Sequence, residues 1–190
     1  MPVVLASQSP RRKEILNMIG LKYEVCISEY IENNQIDALP GTMVLRHALH
    51  KAQTVATHYP KAWIIGADTI VVCNEVILGK PNDDAEAIRM LESLSGVEHR
   101  VFTGYCVLNS ANGRSLQNVV QTRVTFRKLS LSEIRYYIEN YHPLDKAGAY
   151  AIQDFSAIFV EKIDGCFYNV VGFPLPAFYE QVKNQLNTCL

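Results

Sequence analysis

The sequence predicts an α/β layered fold with a mixed, twisted sheet flanked by helices. Three observations carry that expectation. Strand-length apolar runs alternate with segments whose apolar residues recur at helical spacing. Capping patterns mark several helix starts. Turn signals join neighbouring runs as hairpins, adding antiparallel pairs to a sheet that crossover helices would make parallel. No repeat, low-complexity tract or linker interrupts the 190 residues, a length that suits one domain, or two lobes sharing one core.

Taken in order, Val3–Ala6 reads as a short strand ended by Ser7-Gln8-Ser9-Pro10. Ser9 suits a helix N-cap and Pro10 the first helical position, where its missing N–H costs nothing. Ile15, Leu16 and Ile19 then share a face, and Gly20 stops the helix. A second strand is expected around Tyr23–Ile27. Pro40-Gly41-Thr42 opens a longer helix with Leu45, Ala48, Leu49, Ala52 and Val55 inward, bounded by Pro60. Trp63–Ile65 leads into Gly66-Ala67-Asp68-Thr69, read as an acidic turn before Ile70–Cys73. Asn74-Glu75 joins that run to Val76–Leu78 as a hairpin.

Asp83 with Glu86 forms a capping-box pattern for a helix with Ala87, Ile88 and Leu91 inward, ending at Ser95-Gly96. Strands are expected over Arg100–Leu108 and Val119–Phe126, with a turn at Asn112-Gly113. Ser130 and Glu133 repeat the capping box for a helix through Ile138. A strand over Ala157–Ile163 ends at Asp164-Gly165. A last helix starts at Pro174, with Phe178, Val182 and Leu186 at fourfold spacing.

Eighteen basic against nineteen acidic residues leave a net charge of -1, so no global field draws the chain to nucleic acid or anionic lipid. Neither a nucleic-acid nor a membrane partner is expected. No apolar run approaches the roughly 20 residues that span a bilayer. The start of the chain lacks the pattern of a signal peptide, which makes the cytoplasm the expected location. Cys26, Cys73, Cys106, Cys166 and Cys189 are scattered and odd in number, and read as core thiols rather than a disulfide framework or zinc site. His47 and His50 read as surface or intermediate helix positions, not metal ligands, and His99 as structural. No nucleophile elbow is visible.

Two segments carry chemistry. Ser7–Arg12 places hydroxyls, free helix-start N–H groups and two guanidiniums behind a strand, an arrangement suited to an anion. The alternative is a solvated first turn, although arginines there oppose the helix dipole and need a compensating anion. It is not a Walker loop, because the Gly-rich run is absent. The second segment is Asp68 within an apolar run. It either holds a turn through its own backbone or joins Glu32, Lys51 and Lys80 around a phosphate. Lys51 fits a solvated helix position nearly as well.

These segments, with Leu78-Gly79-Lys80-Pro81, Leu94-Ser95-Gly96, His99-Arg100-Val101-Phe102-Thr103-Gly104 and Asn169-Val170-Val171-Gly172-Phe173-Pro174-Leu175, strongly resemble the Maf family of nucleoside triphosphate pyrophosphatases. The resemblance covers nearly the whole chain. It implies a Maf/Ham1 (ITPase-like) fold with two lobes around a cleft, often a homodimer. The implied reaction splits a nucleoside triphosphate between its α and β phosphates, with a divalent cation, Mg²⁺ or Mn²⁺. It assigns the general base to Asp68 and the metal neighbourhood to Asp68 and Glu32. Phosphate contacts map to Ser7, Arg11, Arg12, Lys51 and Lys80.

The run Asp145–Gln153 resembles the branch acting on dTTP and UTP rather than 7-methyl-GTP, with base selection at Arg12, Thr69 and Gln153. A Gln amide and a Thr hydroxyl can both donate and accept toward a pyrimidine edge. The other readings are a pyrophosphatase for a modified or non-canonical nucleotide, and a nucleotide-binding regulator of septum formation. Two departures stand out. Asp154-Phe155-Ser156 replaces the glycine that usually follows the glutamine, a change expected to alter the turn or narrow the pocket. Glu29 competes with Glu32 for the second carboxylate position, and Glu32 is preferred.

Overall fold

A computed structural model of the chain describes residues 1–32 and 39–186. Seven strands form one mixed sheet in these residues: β1 (Val3–Leu5), β2 (Glu24–Val25), β3 (Trp63–Cys73), β4 (Val76–Leu78), β5 (Glu98–Asn109), β6 (Ser115–Phe126) and β7 (Val160–Asp164). The helices are α1 (Pro10–Asn17), α2 (Pro40–Ala56), α3 (Asp84–Leu94), α4 (Leu131–Tyr141), α5 (Phe167–Val171) and α6 (Leu175–Val182). The strand order is β2-β1-β3-β5-β6-β7, with β4 also paired to β3. The β1 pairings are parallel, and those among β3, β4, β5, β6 and β7 are antiparallel, so the expected mixed α/β sheet is what forms.

One feature of this order makes room for a site. β3 pairs with β5 along nearly its whole length. On its other edge it meets β1 at Trp63–Ile65 and β4 at Val71–Cys73. Among the described residues, the stretch 66–70 between them has no strand partner on that edge. Asp68 therefore lies at the centre of an eleven-residue strand, beside a gap in the sheet, and not in the turn its glycine neighbour suggested. Gly66 has a different purpose. A Cβ there would stand 2.1 Å from the Ala48 carbonyl, and one at Gly104 would stand 2.7 Å from the backbone of Val44 and Leu45. Both glycines let α2 lie directly on the sheet.

Strand alternation then sorts the residues by face. Ile64, Asp68, Ile70 and Val72 point to α2, whose inward side is Met43, Val44, His47, Ala48, Ala52 and Val55. The predicted inward Leu45 and Leu49 are only half-buried, because the true face is rotated and takes in His47. Burying Met43, Val44 and Val55 contributes on the order of 2 kcal/mol each. The opposite face carries two apolar clusters. One joins Leu5, Ile15, Leu16, Ile65 and Ala67 to Tyr105, Phe173 and Phe178. The other joins Val71 and Val101 to Leu91, Phe126, Tyr137 and Phe159. They part on β3 between Ala67 and Val71 and on β5 between Val101 and Tyr105, at Thr69 and Thr103, which face each other in register.

Local signals are met unevenly. Ser9 caps α1 by accepting from the Arg12 N–H at 3.4 Å. Helix α1 ends at Asn17, so Ile19 belongs to the following turn, and Gly20 takes the left-handed φ of 68°. Asn74 and Glu75 both have positive φ, as a two-residue hairpin requires. The Ser130–Glu133 capping box is complete. The Asp83 box is half formed, because Glu86 instead accepts from the Asn82 backbone and amide. The strand expected from Ala157 begins only at Val160; Phe155–Phe159 is a 3-10 turn whose buried residues, Ser156 and Phe159, stand three apart. Helix α5 has no counterpart in the sequence reading, since five residues are too few to show a period. Cys73 and Cys106 are buried and Cys26 and Cys166 half-buried; Cys189 lies outside the described residues.

Candidate active site

A cleft of about 740 Å³ opens at the gap beside β3. The Ser7–Arg12 segment borders it, because β1 ends where β3 loses its partner, and the Ala6 N–H makes the last bond, 2.8 Å to the Ile65 carbonyl. Ser7, Arg11, Arg12, Glu32, Lys51 and Asp68 all line it, as do Thr69, Lys80 and Gln153. All the sequence-predicted site residues thus reach one cavity.

On the α2 side, Lys51 Nζ lies 2.7 Å from Asp68 Oδ1, 2.6 Å from Glu32 Oε1 and 3.3 Å from the Ala67 carbonyl. Lys51 is therefore not a solvated helix position; its side chain is 12% exposed. Asp68 is 4% exposed, and its Oδ2 is buried with no hydrogen-bond partner among the described residues. Burial alone would raise the Glu32 pKa, but Lys51, with help from Lys80 and His47, holds it below the ordinary value. Glu29 is exposed, so the carboxylate brought to Asp68 is Glu32. Lys80 is exposed at the rim.

Two residues of this side were misread or missed. His47 is fully buried, one helical turn before Lys51. Its Nδ1 lies 2.9 Å from the Tyr30 hydroxyl, and Tyr30 stacks on His50 with ring centroids 5.1 Å apart. The segment leading to Glu32 is tied to α2 in this way. Burial lowers the His47 pKa against the pull of Asp68 and Glu32. The i, i+4 spacing of His47 and Lys51 was the available signal. Nothing in an irregular segment marks Tyr30.

On the other face, Arg12 is enclosed. Its Nε donates to the Gly172 carbonyl at 3.0 Å, Nη1 to Ser7 Oγ at 3.2 Å and Nη2 to Thr69 Oγ1 at 3.1 Å. Burial lowers the guanidinium's pKa, opposed by Asp68 and Glu32. Two of its five N–H donors are left for a ligand. Thr69 Oγ1 is 2.9 Å from Thr103 Oγ1, which donates at 3.2 Å to the Asn169 carbonyl. Asn169 is fully buried and donates to the Val101 carbonyl and Thr122 Oγ1, both at 3.0 Å. This polar seam fills the division between the two apolar clusters. Thr103 and Asn169 escaped the sequence reading of single residues because the seam exists only across strands. Arg11 reaches out instead, 3.4 Å from Asp145 Oδ2.

Gln153 is exposed to the cleft, next to buried Ile152. Asp154 does not narrow the pocket. Its carboxylate turns away and accepts from the Ser156 N–H at 2.9 Å and the Tyr137 hydroxyl at 3.1 Å. Its φ of -114° needs no glycine.

A divalent cation fits the donor set. Asp68 Oδ2 is an orphaned hard oxygen in a cleft that Glu32 also lines, and hard cations take oxygen ligands. Among the described residues there is no group of three His, Cys, Asp or Glu able to hold a metal unaided. Mg²⁺ commonly binds through one or two carboxylates plus substrate phosphates. No helix of the described residues is long and apolar enough to cross a membrane.

The family model described as "Maf-like protein" matches residues 2–185. The chain is 45% identical over 181 residues to a protein of Geobacter sulfurreducens named dTTP/UTP pyrophosphatase, covering 95% of each. A Geobacillus protein of the same name is 46% identical over 181 residues, 95% of this chain and 96% of that one. One from Methanococcoides burtonii is 45% identical over 174 residues, 91% and 89%. The solved structure of the Staphylococcus aureus Ham1 protein aligns with a TM-score of 0.47 and 12% identity, over 66% of this chain and 72% of that one.

Proposed function

The chain belongs to the Maf family, and from that premise we propose that it is a nucleoside triphosphate diphosphatase hydrolysing dTTP and UTP to the monophosphate and pyrophosphate. The observation that carries the chemistry is the Lys51–Asp68 pair. Lys51 occupies Oδ1 and leaves Oδ2, buried at the cleft, to take a proton from water. The water oxygen bonds to phosphorus, the bond joining the α and β phosphates breaks, and pyrophosphate leaves with the bridging oxygen. Asp68 returns the proton to solvent or product.

The remaining residues position charge. Arg11, Lys80 and the two spare N–H groups of Arg12 meet phosphate oxygens, and Lys51 neutralises charge as it develops. Glu32 and one lone pair of Asp68 Oδ2 would hold a divalent cation, Mg²⁺ or Mn²⁺, leaving the other lone pair of that oxygen for the proton. When bound, that ion supplies charge neutralisation and a more acidic water. Thr69, committed to Arg12 and Thr103, fixes the wall of the pocket, while Gln153 presents its amide to the base. Uracil and thymine offer an N3–H donor between two carbonyls, which a carboxamide held in one orientation pairs with; cytosine keeps the O2 carbonyl but reverses donor and acceptor at N3 and the 4-position.

The two apolar clusters flanking the seam support one domain of two lobes with the substrate between them. The same reading takes the protein as a cytoplasmic homodimer, which light scattering checks. The decisive assay is pyrophosphate release from dTTP, UTP, dCTP, ITP and 7-methyl-GTP, with Mg²⁺ and after chelation. Release from dTTP and UTP that stops on chelation is expected. Equal release from every triphosphate, or none, would overturn the assignment.

A further inference from the structure

The turn that carries Gln153 is gripped from both ends. The Asp154 N–H donates to the Ala151 carbonyl at 3.1 Å, closing a four-residue turn with Ile152 and Gln153 at its corner. Ile152 is buried in the first apolar cluster, so the turn cannot roll without withdrawing it. Ser156, fully buried, binds the first residue of the turn. Its Oγ accepts from the Ala151 N–H at 3.0 Å, and its single hydrogen faces both the Ala151 carbonyl at 2.7 Å and Asp154 Oδ1 at 2.8 Å. Asp154 binds the last residue in place, accepting from the Ser156 N–H through Oδ1 and from the Tyr137 hydroxyl through Oδ2.

Tyr137 is itself packed into the core. It is fully buried in α4, with its ring centroid 5.5 Å from those of both Tyr141 and Phe159. A run of hydrogen bonds therefore leads from the packed core of the second cluster to the backbone on either side of an exposed glutamine. No residue of 151–156 is glycine, so the backbone there has no licence for left-handed conformations.

We propose that Asp154, with Ser156 and Tyr137, is a positioning residue that fixes the Gln153 amide for selection of the base. This rests on the reading of Gln153 as the group that meets the base. Asp154 touches neither substrate nor the reacting atoms. It acts by holding the turn, and selectivity built from paired hydrogen bonds depends on geometry.

The test compares Asp154→Ala, Asp154→Asn and Tyr137→Phe with the wild type. Steady-state release from dTTP and dCTP is measured alongside hydrogen exchange at residues 151–156. In Asp154→Ala the preference for dTTP over dCTP falls about tenfold, the worth of one hydrogen bond's positioning. The loss lies in KM, with kcat for dTTP little changed, and the 151–156 amides exchange faster. Asp154→Asn keeps an acceptor for Ser156 and a partner for the tyrosine hydroxyl, and restores most of the preference. Tyr137→Phe shifts selectivity in the same direction by less.

A folded Asp154→Ala with unchanged selectivity overturns the proposal. So does Asp154→Asn behaving like alanine, which would make charge the agent. If Asp154→Ala does not fold, Tyr137→Phe decides: unchanged selectivity and exchange refute the proposal. A wild type that releases no pyrophosphate from either nucleotide sinks the activity instead. The clamp is then judged by exchange alone, and unchanged exchange in Asp154→Ala refutes it.

Discussion

Lys51 donates to Oδ1 of Asp68 at 2.7 Å and leaves Oδ2 of the same carboxylate buried without a hydrogen-bond partner among the described residues. The pair joins α2 to the middle of β3, and its asymmetry separates the two oxygens into one that is held and one that is unpaired.

Replacing Lys51 with Met leaves two carboxylates facing each other with no ammonium between them. Breaking a buried pair from one side costs about 3 kcal/mol, and removing a positioned charge lowers turnover by roughly 10²–10³-fold. Urea denaturation and pyrophosphate release measure both effects. Near-wild-type turnover would remove Lys51 from the mechanism.

Asp68→Asn keeps the shape of the side chain and an oxygen for Lys51 but removes the base. Turnover is expected to fall about 10³-fold, within the range for a general base, while the melting temperature changes little. A variant that still releases pyrophosphate at the wild-type rate would place the base elsewhere in the cleft.

Gly66→Ala pushes a methyl group into the backbone of α2, where the Ala48 carbonyl would be 2.1 Å away. Since helix backbone cannot yield as a side chain tip can, destabilisation of about 3 kcal/mol is expected. Activity falls too, because the helix that must retreat carries Lys51. A denaturation midpoint equal to the wild type's would contradict the direct contact of α2 with β3.

His99 gives an acid limb to stability. It is buried, with Nε2 2.9 Å from the Tyr150 hydroxyl and its ring edge-on to Phe126, and burial lowers its pKa to about 4. The folded state thus favours the neutral ring. Its contribution is complete above the ordinary histidine value near 6.5 and is lost as pH falls toward 4. Between pH 7.5 and 5 the loss is about 2 kcal/mol. Glu32, held below its ordinary value, adds its own loss only at lower pH. Thermal unfolding across this range checks the slope, and His99→Phe should flatten it whatever its absolute stability.

Most of the element order was legible because it rests on local chemistry. Ser9-Pro10, Asn74-Glu75 and Ser130–Glu133 specify their caps and turns through a few neighbouring backbone groups. The failures share a physical cause. Gly66 reads locally as a turn but is a contact with Ala48 and Ala52 of α2, 18 and 14 residues earlier. The apolar run Ala157–Phe159 reads locally as the start of a strand but closes a 3-10 turn whose inward residues are Ser156 and Phe159. His47 reads as polar surface until α2 is seen to turn it toward Asp68 and Glu32.

The sequence by itself determined the α/β class, the family and the set of residues that carry charge, since these depend on residue identity and short spacings. The tertiary structure alone decided how those residues divide the work. The gap left on β3 between β1 and β4 lets Asp68 line a cleft. The two-residue period of the strand sends Asp68 to Lys51 and Thr69 to Arg12. The core behind Tyr137 turns Asp154 away from the cleft. Each of these follows from pairing and packing between segments far apart in the chain, which no local pattern encodes.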